Sequence, residues 1–266
     1  MKHVGRPRKL IVALAVFAGL SGASTSAILA AGDRTTIRAG NLVIHAGGSI
    51  SPTALPKDRM APISVHASGS VATADGTHIP PAQTLDLHVD RHLRVDSEGL
   101  PSSTLAKLQA SSPAQAMKSC GGALVGKGRI AAQVEFPESA PFNARGPLLI
   151  FNGPTGAAGP DYPEMLFYTF ISVPAPTAVI AVAKLSKDTG RYGFTISVQI
   201  PEVAGGSGSL EGFELTADRH WTYRGKRNSY LNAECPDGHF FNQLEAAFGG
   251  GANLSGIFIN SCRPRG

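Results

Sequence analysis

Residues 84–95 read Thr-Leu-Asp-Leu-His-Val-Asp-Arg-His-Leu-Arg-Val, and this alternation constrains the fold more than any other stretch of the chain. Leu85, Leu87, Val89, Leu93 and Val95 share one parity, with only Arg91 breaking the run. Asp86, His88, Asp90, His92 and Arg94 take the other parity. Successive side chains of a strand point to opposite faces, so a period of two describes a strand with one face buried and one in water. A helix would wrap both sets around its axis.

The rest of the chain repeats the theme. Further segments rich in Val, Ile, Phe and Thr run over 42–46, 63–73, 123–136, 148–151, 165–173, 178–185, 192–200, 210–221, 229–235, 240–248 and 254–261, each bounded by Gly or Pro. The chain holds 31 Gly and 19 Pro, and only 16% of its residues are charged, so punctuation is dense and the segments between are short. Residues 188–191 form an expected tight hairpin. Pro236-Asp237-Gly238 is a turn in which proline presets one dihedral and glycine accepts the positive one. Phe240, Phe241, Leu244 and Phe248 also fit a helical face, and the strand reading is preferred there. Residues 152–163 read as a long surface loop.

One segment departs from this period. Leu105, Leu108 and Gln109 fall at helical spacing, and Ser112 before Pro113 is a helix start with proline at its first position. A short helical insertion is therefore expected around residues 102–119. Ten or more half-buried strands bury their apolar faces as an antiparallel β-sandwich or as a closed barrel, so the expected fold class is all-β with that insertion.

The amino terminus belongs to export rather than to the fold. Lys2, Arg6, Arg8 and Lys9 precede an apolar run from Leu10 to Leu20 and then small residues through Ala31. That is the pattern of a secretory signal peptide over 1–31, and its apolar core is shorter than the roughly 20 residues of a membrane-spanning helix. Cleavage fits after Ala27 or Ala31. Residues 32–38 then read as a short polar lead, and 39–266 as a single β-rich domain. The signal holds four of the 24 Lys and Arg and none of the 19 Asp and Glu. The mature chain therefore carries 20 basic against 19 acidic residues, a net charge of +1 in place of the whole chain's +5. Nucleic-acid binding, which needs a basic face on the folded domain, loses its support.

All three cysteines lie in the mature region. In an oxidising compartment two pair and one remains. Cys235 and Cys262 bracket the last two strands and are the expected pair, which leaves Cys120 free; pairing of Cys120 with either of the others stays open. A catalytic thiol at Cys120 needs a base and an electropositive surround that its sequence neighbours do not supply.

A resemblance rests on Gly99-Leu100-Pro101, Leu108-Gln109, Cys120, Ala123-Leu124-Val125-Gly126, Glu234-Cys235-Pro236-Asp237-Gly238 and Ser261-Cys262. These motifs resemble a group of uncharacterised secreted β-rich actinobacterial proteins, over most of the mature chain. The resemblance implies a fold and a compartment but no reaction. In that group the segment after Leu-Pro usually carries a cysteine. Here Ser102 and Ser103 stand in its place, which implies that Cys120 has lost its partner.

Several motifs imitate known chemistry. Gly121, Gly126 and Lys127 have the spacing of a phosphate-binding loop, but Gly128 replaces the hydroxyl residue and a strand follows where a helix is needed. His88, Asp90 and His92 are the metal candidates, since alternate residues project together, although their spacing of about 6.5–7 Å lets at most two reach one ion. A solvated polar face is the simpler reading. Gly205-Gly206-Ser207-Gly208-Ser209 lacks the last glycine of a nucleophile elbow, and the carboxylate pairs Glu211/Glu214 and Glu135/Glu138 read as polar sides of strands and turns. Trp221 and Tyr223 share parity among Arg219, His220 and Arg224 to Arg227, so they form a candidate ligand platform for sugar rings or an anionic polymer, or alternatively core packing.

No catalytic constellation and no cofactor emerges from these readings. The expected protein is an exported, extracytoplasmic, non-catalytic binding or envelope-associated module, with cell-wall polysaccharide or another envelope component as its expected partner. Two alternatives remain. One is a secreted hydrolase or metal-dependent enzyme whose site gathers from distant strands; the other is an assembly protein that dimerises through Cys120.

Overall fold

The structure, a computed structural model, describes residues 33–136, 140–155, 162–172, 175–203, 206 and 208–266. The export signal expected over 1–31, Glu138 and Ser207 lie outside the described residues. Strands β1 (Asp33–Ala39), β2 (Leu42–Ser51), β3 (Ala54–Pro56), β4 (Ala61–Pro62), β5 (Ser64–Thr73), β6 (Ala82–Asp90) and β7 (Leu93–Val95) precede helices α1 (Leu105–Leu108) and α2 (Pro113–Cys120). They are followed by β8 (Leu124–Val134), β9 (Phe142–Thr155), β10 (Pro163–Ile171), β11 (Thr177–Lys187), β12 (Tyr192–Gln199) and β13 (Gly208–Ala217). The chain closes with β14 (His220–Tyr223), β15 (Lys226–Ser229), β16 (Leu231–Ala233), β17 (His239–Phe248), β18 (Asn253–Ser261) and β19 (Arg263–Arg265).

Twelve of these strands form one antiparallel sheet in the order β1-β2-β5-β13-β8-β9-β10-β11-β12-β6-β17-β18. That sheet is nearly closed into a barrel. Its seam lies between β1 and β18, where the Ile37 side chain sits over Gly256: a Cβ at Gly256 would stand 2.2 Å from Ile37 Cδ1. Glycine suits this position because the Ile37 side chain occupies the space that a side chain at 256 would need. Farther along the seam, Asn260 donates to the Gly48 carbonyl of β2 at 2.9 Å. Of the two architectures open to the sequence, the barrel is the one formed.

Several boundaries differ from the sequence reading. Residues 33–38, read as part of a polar lead, belong to strand β1, which pairs with β2 from Asp33↔Gly48 to Ala39↔Leu42. The stretch 84–95 is two strands. Arg91, the one residue that broke its alternation, lies in a turn tied by Asp90, and β7 leaves the barrel to pair with β16. Likewise 210–221 divides at residues 218–219 into β13 of the barrel and β14 of a separate hairpin. The ambiguous 240–248 stretch is strand β17, and β9 and β10 extend into the expected loop at 152–163.

The insertion contains the two short helices. Ser112 caps α2 in a capping box with Gln115, and Pro113 occupies the first turn, as its fixed φ favours. Leu108, Ala116 and Cys120 pack against Phe151, Leu166 and Tyr168, the outward side chains of β9 and β10. The helices therefore cover one outer wall of the barrel, where an uncovered sheet would expose apolar rings. The Tyr168 hydroxyl, donating to the Ser111 carbonyl at 2.6 Å, ties the insertion down.

Candidate binding site in the barrel interior

Register assigns the inner face strand by strand. Ile44 of β2 opposes Val71 of β5, Phe213 opposes Gly69, Leu215 opposes Gly128, and Leu148, Ile150 and Asn152 of β9 oppose Thr169, Phe167 and Met165 of β10. Ala183 and Leu185 of β11 oppose Val198 and Ile196 of β12, whose neighbour β6 supplies Leu85 and Leu87 to Val198 and Ile196. The opposite parity carries Arg34, Thr36 and Arg38 on β1, Lys127 and Arg129 on β8, and Lys184 on β11, all exposed. The inner face is thus mainly apolar, and the outer face is polar except under the helices and at the exposed Ile257 and Ile259 of β18.

The two ends of the interior are filled. At one end Val89, Val95, Leu100, Val125, Ile150, Met165, Leu185, Phe194 and Tyr230 form a buried cluster, flanked by Trp221 and Leu231. At the other end Leu42, Ile44, Val71, Ile79, Phe248 and Leu254 close together, with Val134, Ala144 and Ile171 beside them. Between the ends the inward residues are less completely buried, although Leu85, Phe167, Ala181 and Ile196 still pack against the first end cluster. Ala67, Gly69, Leu85, Ile130, Phe167, Ala181, Ile196, Phe213, Leu244 and Phe258 carry the inward parity at mid-strand, yet each is only half-buried. In a filled core the central side chains are the least accessible. Residual accessibility of inward residues in a nearly closed wall is compatible with interior space. Eight strands already enclose a volume that side chains fill or that holds one small ligand, and a twelve-stranded wall encloses more.

Polar groups inside are few and uncharged. Asn152 (2% exposed), Thr169 (6%) and Tyr230 (1%) are inward or interior. Asn152 Oδ1, Thr169 Oγ1 and Tyr230 Oη have no hydrogen-bond partner. Burial pushes the Tyr230 phenol well above its ordinary range, so it stays protonated and available as a donor. Its backbone is committed, the amide donating to Arg219 and the carbonyl accepting from Asp96 at 2.9 Å each. Asp90 is the one buried charged residue among the described residues. Both its oxygens are occupied: Oδ1 by the His92 amide and ring at 2.9 and 2.8 Å, and Oδ2 by the Phe241 amide at 2.9 Å.

The metal candidates separate accordingly. His88 faces outward on β6, with Nδ1 at 2.7 Å from Asp188 Oδ2 and 3.0 Å from Thr195 Oγ1, while Asp90 and His92 form the turn at the strand end. The hydrogen bonds from His88 and Thr195 hold the Asp188 carboxyl below its usual value. Among the described residues no group of three or more His, Cys, Asp and Glu side chains is placed to hold a metal ion.

Trp221 and Tyr223 lie on the β14–β15 hairpin and are turned to packing. Trp221 Nε1 donates to the Glu98 carbonyl at 3.0 Å, and Trp221 borders the buried cluster at that end. Tyr223 lies flat on Gly99, where a Cβ would meet the ring at 2.2 Å, and Arg224 stacks on the ring at 5.0 Å. Gly99 has φ of +73°, a second reason for glycine. A sugar platform needs an open ring face, and that of Tyr223 is covered.

Cys235 and Cys262 form the disulfide, tying the start of the last hairpin to its end. Cys120 is a free, buried thiol. Its sulfur accepts a hydrogen bond from the Ser103 hydroxyl, so the residue standing where the resemblance implies a cysteine is the one that touches Cys120. An intermolecular disulfide needs an accessible sulfur, which Cys120 does not offer.

One constellation escaped the sequence. Ser209 Oγ lies 3.2 Å from His78 Nε2, and His78 Nδ1 lies 3.1 Å from Glu135 Oε2. The spacing is that of a Ser-His-Glu relay, but the details oppose one. Ser209 is 1% exposed and donates its proton to the Ile79 carbonyl, while the contact of His78 with Glu135 has ion-pair distance without hydrogen-bond alignment. The group clamps residues 78–79 over the barrel end that Ile79 closes. Only the length of the β5–β6 connection hinted at it. The groove lined by Ser51, Pro52, Pro62, Ile63, Ser64, His220 and Arg227, of about 460 Å³, lies at the surface outside the barrel.

Comparisons with protein-family models, with characterised proteins and with solved structures return no match.

Proposed function

We propose that this protein is an exported, non-catalytic binding module that holds an apolar small molecule inside its barrel. One observation carries the reading: the inward apolar residues at mid-barrel are incompletely buried while both ends hold fully buried clusters. Concave, mostly apolar sites with a few uncharged polar groups are the usual form of a small-molecule site. The signal pattern over residues 1–31 supports export, and the Cys235–Cys262 disulfide is compatible with an oxidising compartment. The hydrolase alternative has its best geometry at Ser209, where the nucleophile is neither exposed nor free to give its proton to His78.

The test is uptake of the uncharged dye N-phenyl-1-naphthylamine by the mature protein. Saturable blue-shifted emission, abolished when Ala67→Trp or Ala181→Trp fills the middle of the barrel, is the expected result. Emission that never rises above the free dye, or that survives both fillings, overturns the reading.

A further inference from the structure

The β14–β15 hairpin has two faces, and its register separates them. Trp221 and Tyr223 alternate with His220 and Thr222 on β14, and Thr222 pairs with Arg227 of β15. One parity, that of Trp221 and Tyr223, packs against the segment at Glu98 and Gly99. The other carries His220 and Arg227 to the groove of about 460 Å³, whose remaining walls are Ser51, Pro52, Pro62, Ile63 and Ser64. Small-molecule sites have volumes of about 300–1,000 Å³, so this groove is of the right size to hold one. Its residues border a single space, and their chemistry acts on whatever lies there.

Every polar side chain on that lining is a hydrogen-bond donor, and none is a carboxylate. Arg227 is exposed and has no ion-pair partner among the described residues, whereas Arg224 at the hairpin tip lies 3.8 Å from Glu98. His220 Nδ1 is buried without a partner, so the proton of the neutral ring belongs on Nε2, the nitrogen left to face the groove. Ser51 and Ser64 stand opposite each other on β2 and β5, and their hydroxyls are uncommitted. Other charged groups nearby are directed elsewhere. Arg219 donates to the Gly122 carbonyl at 3.2 Å with its Nε buried, and Lys226 pairs with Tyr223 on the far parity of the hairpin. Glu211, whose Oε2 is buried, lies at the bulge of β13 and does not line the groove. One guanidinium among neutral donors matches one carboxylate, whose two oxygens accept from its fork. The exposed rings of Pro52 and Pro62, above the buried Ile63, add apolar surface for a carbon body.

We propose that this groove is a second binding site, outside the barrel, for a small organic monocarboxylate: the carboxylate accepts hydrogen bonds from Arg227 and His220, and its apolar body lies on Pro52 and Pro62. The site does not depend on what the barrel interior holds.

The test is isothermal titration of the mature protein, at low salt, with benzoate, cinnamate and 4-phenylbutyrate, each against its own uncharged amide. The expected result is that at least one acid binds about fivefold or more tightly than its amide, the scale of a charge-assisted hydrogen-bonded pair at an accessible site. Arg227→Gln should bring acid and amide to within about twofold of each other, while Lys226→Gln, the same change of charge one residue away, should leave the preference in place. Amides that bind as well as all three acids, no binding by any acid, or an equal effect of Arg227→Gln and Lys226→Gln overturns the proposal. The comparison of acid with amide needs no variant, so it decides even if Arg227→Gln folds poorly.

Discussion

Replacing Ser103 with cysteine should create a second disulfide, to Cys120. The Ser103 hydroxyl already touches the Cys120 sulfur, both residues are buried, and both are anchored. The Ser103 amide donates to the Asn152 carbonyl at 2.8 Å, and Cys120 ends a helix packed on β9 and β10. The bridge would span a separation of 17 residues. In the chain-entropy treatment such a loop removes about 3 kcal/mol from the unfolded ensemble. For a domain of this size each kcal/mol moves Tm by about 2–4 °C, so a rise of about 6–12 °C is expected. The assay is thermal melting of oxidised Ser103→Cys against oxidised wild type, because a reductant would also open Cys235–Cys262. Thiol titration in denaturant should find one free sulfhydryl in the wild type and none in the variant. Two titratable thiols after oxidation would refute the juxtaposition, and a closed bridge with unchanged Tm would refute the entropic magnitude.

Four further outcomes test other parts of the structure. Gly256→Ala should cost about 1–3 kcal/mol by forcing Ile37 away from the seam, and adding Ile37→Ala should recover part of the lost Tm; no recovery would mean that the strands do not meet there. Tyr230→Phe, by removing an unpartnered buried hydroxyl, should leave the ligand-free protein as stable as the wild type or raise its Tm by a few degrees, and a fall of more than 5 °C in differential scanning calorimetry would show that the hydroxyl has an internal partner. Asp75, hydrogen-bonded by Thr77 and Asn41, has its pKa lowered from 3.8 to about 2, so its stabilisation is present above about pH 3.8 and is lost as pH falls through 2; Asp75→Asn should flatten that limb of a Tm against pH series. Ser209→Ala should lower Tm by loosening residues 78–79 and leave p-nitrophenyl butyrate hydrolysis at the wild type's level, whereas a loss of esterase rate would restore the hydrolase reading.

Much of the fold was legible in the chain because the signals were local. The alternation of Leu85, Leu87 and Val89 against Asp86 and His88 named the inner and outer faces of β6 before any neighbour was known. Ser112 and Pro113 mark the start of α2 in two adjacent residues, and Cys235 and Cys262 bracket the hairpin they close. Readings failed where the deciding partner was remote. Asp33 to Arg38 looked like a polar lead because an edge strand with an exposed outer face reads as polar, and only pairing with β2 makes it a strand. His88 and Asp90 share a parity but not a site, since Asp188 and Thr195 take one and the turn at His92 takes the other.

By itself the sequence determined the period of two, the place of the helical insertion, the apolar face of β6 and the pairing most open to its cysteines. These follow from dihedral preferences and side-chain parity, which act within a few residues. Tertiary structure alone decided that twelve strands curve into one nearly closed barrel, that β1 meets β18 over Gly256, and that buried clusters gather at both ends of the interior. Strand order, and therefore interior volume, depends on contacts between residues as distant as Ile37 and Gly256, and no local pattern encodes the space that a closed wall encloses.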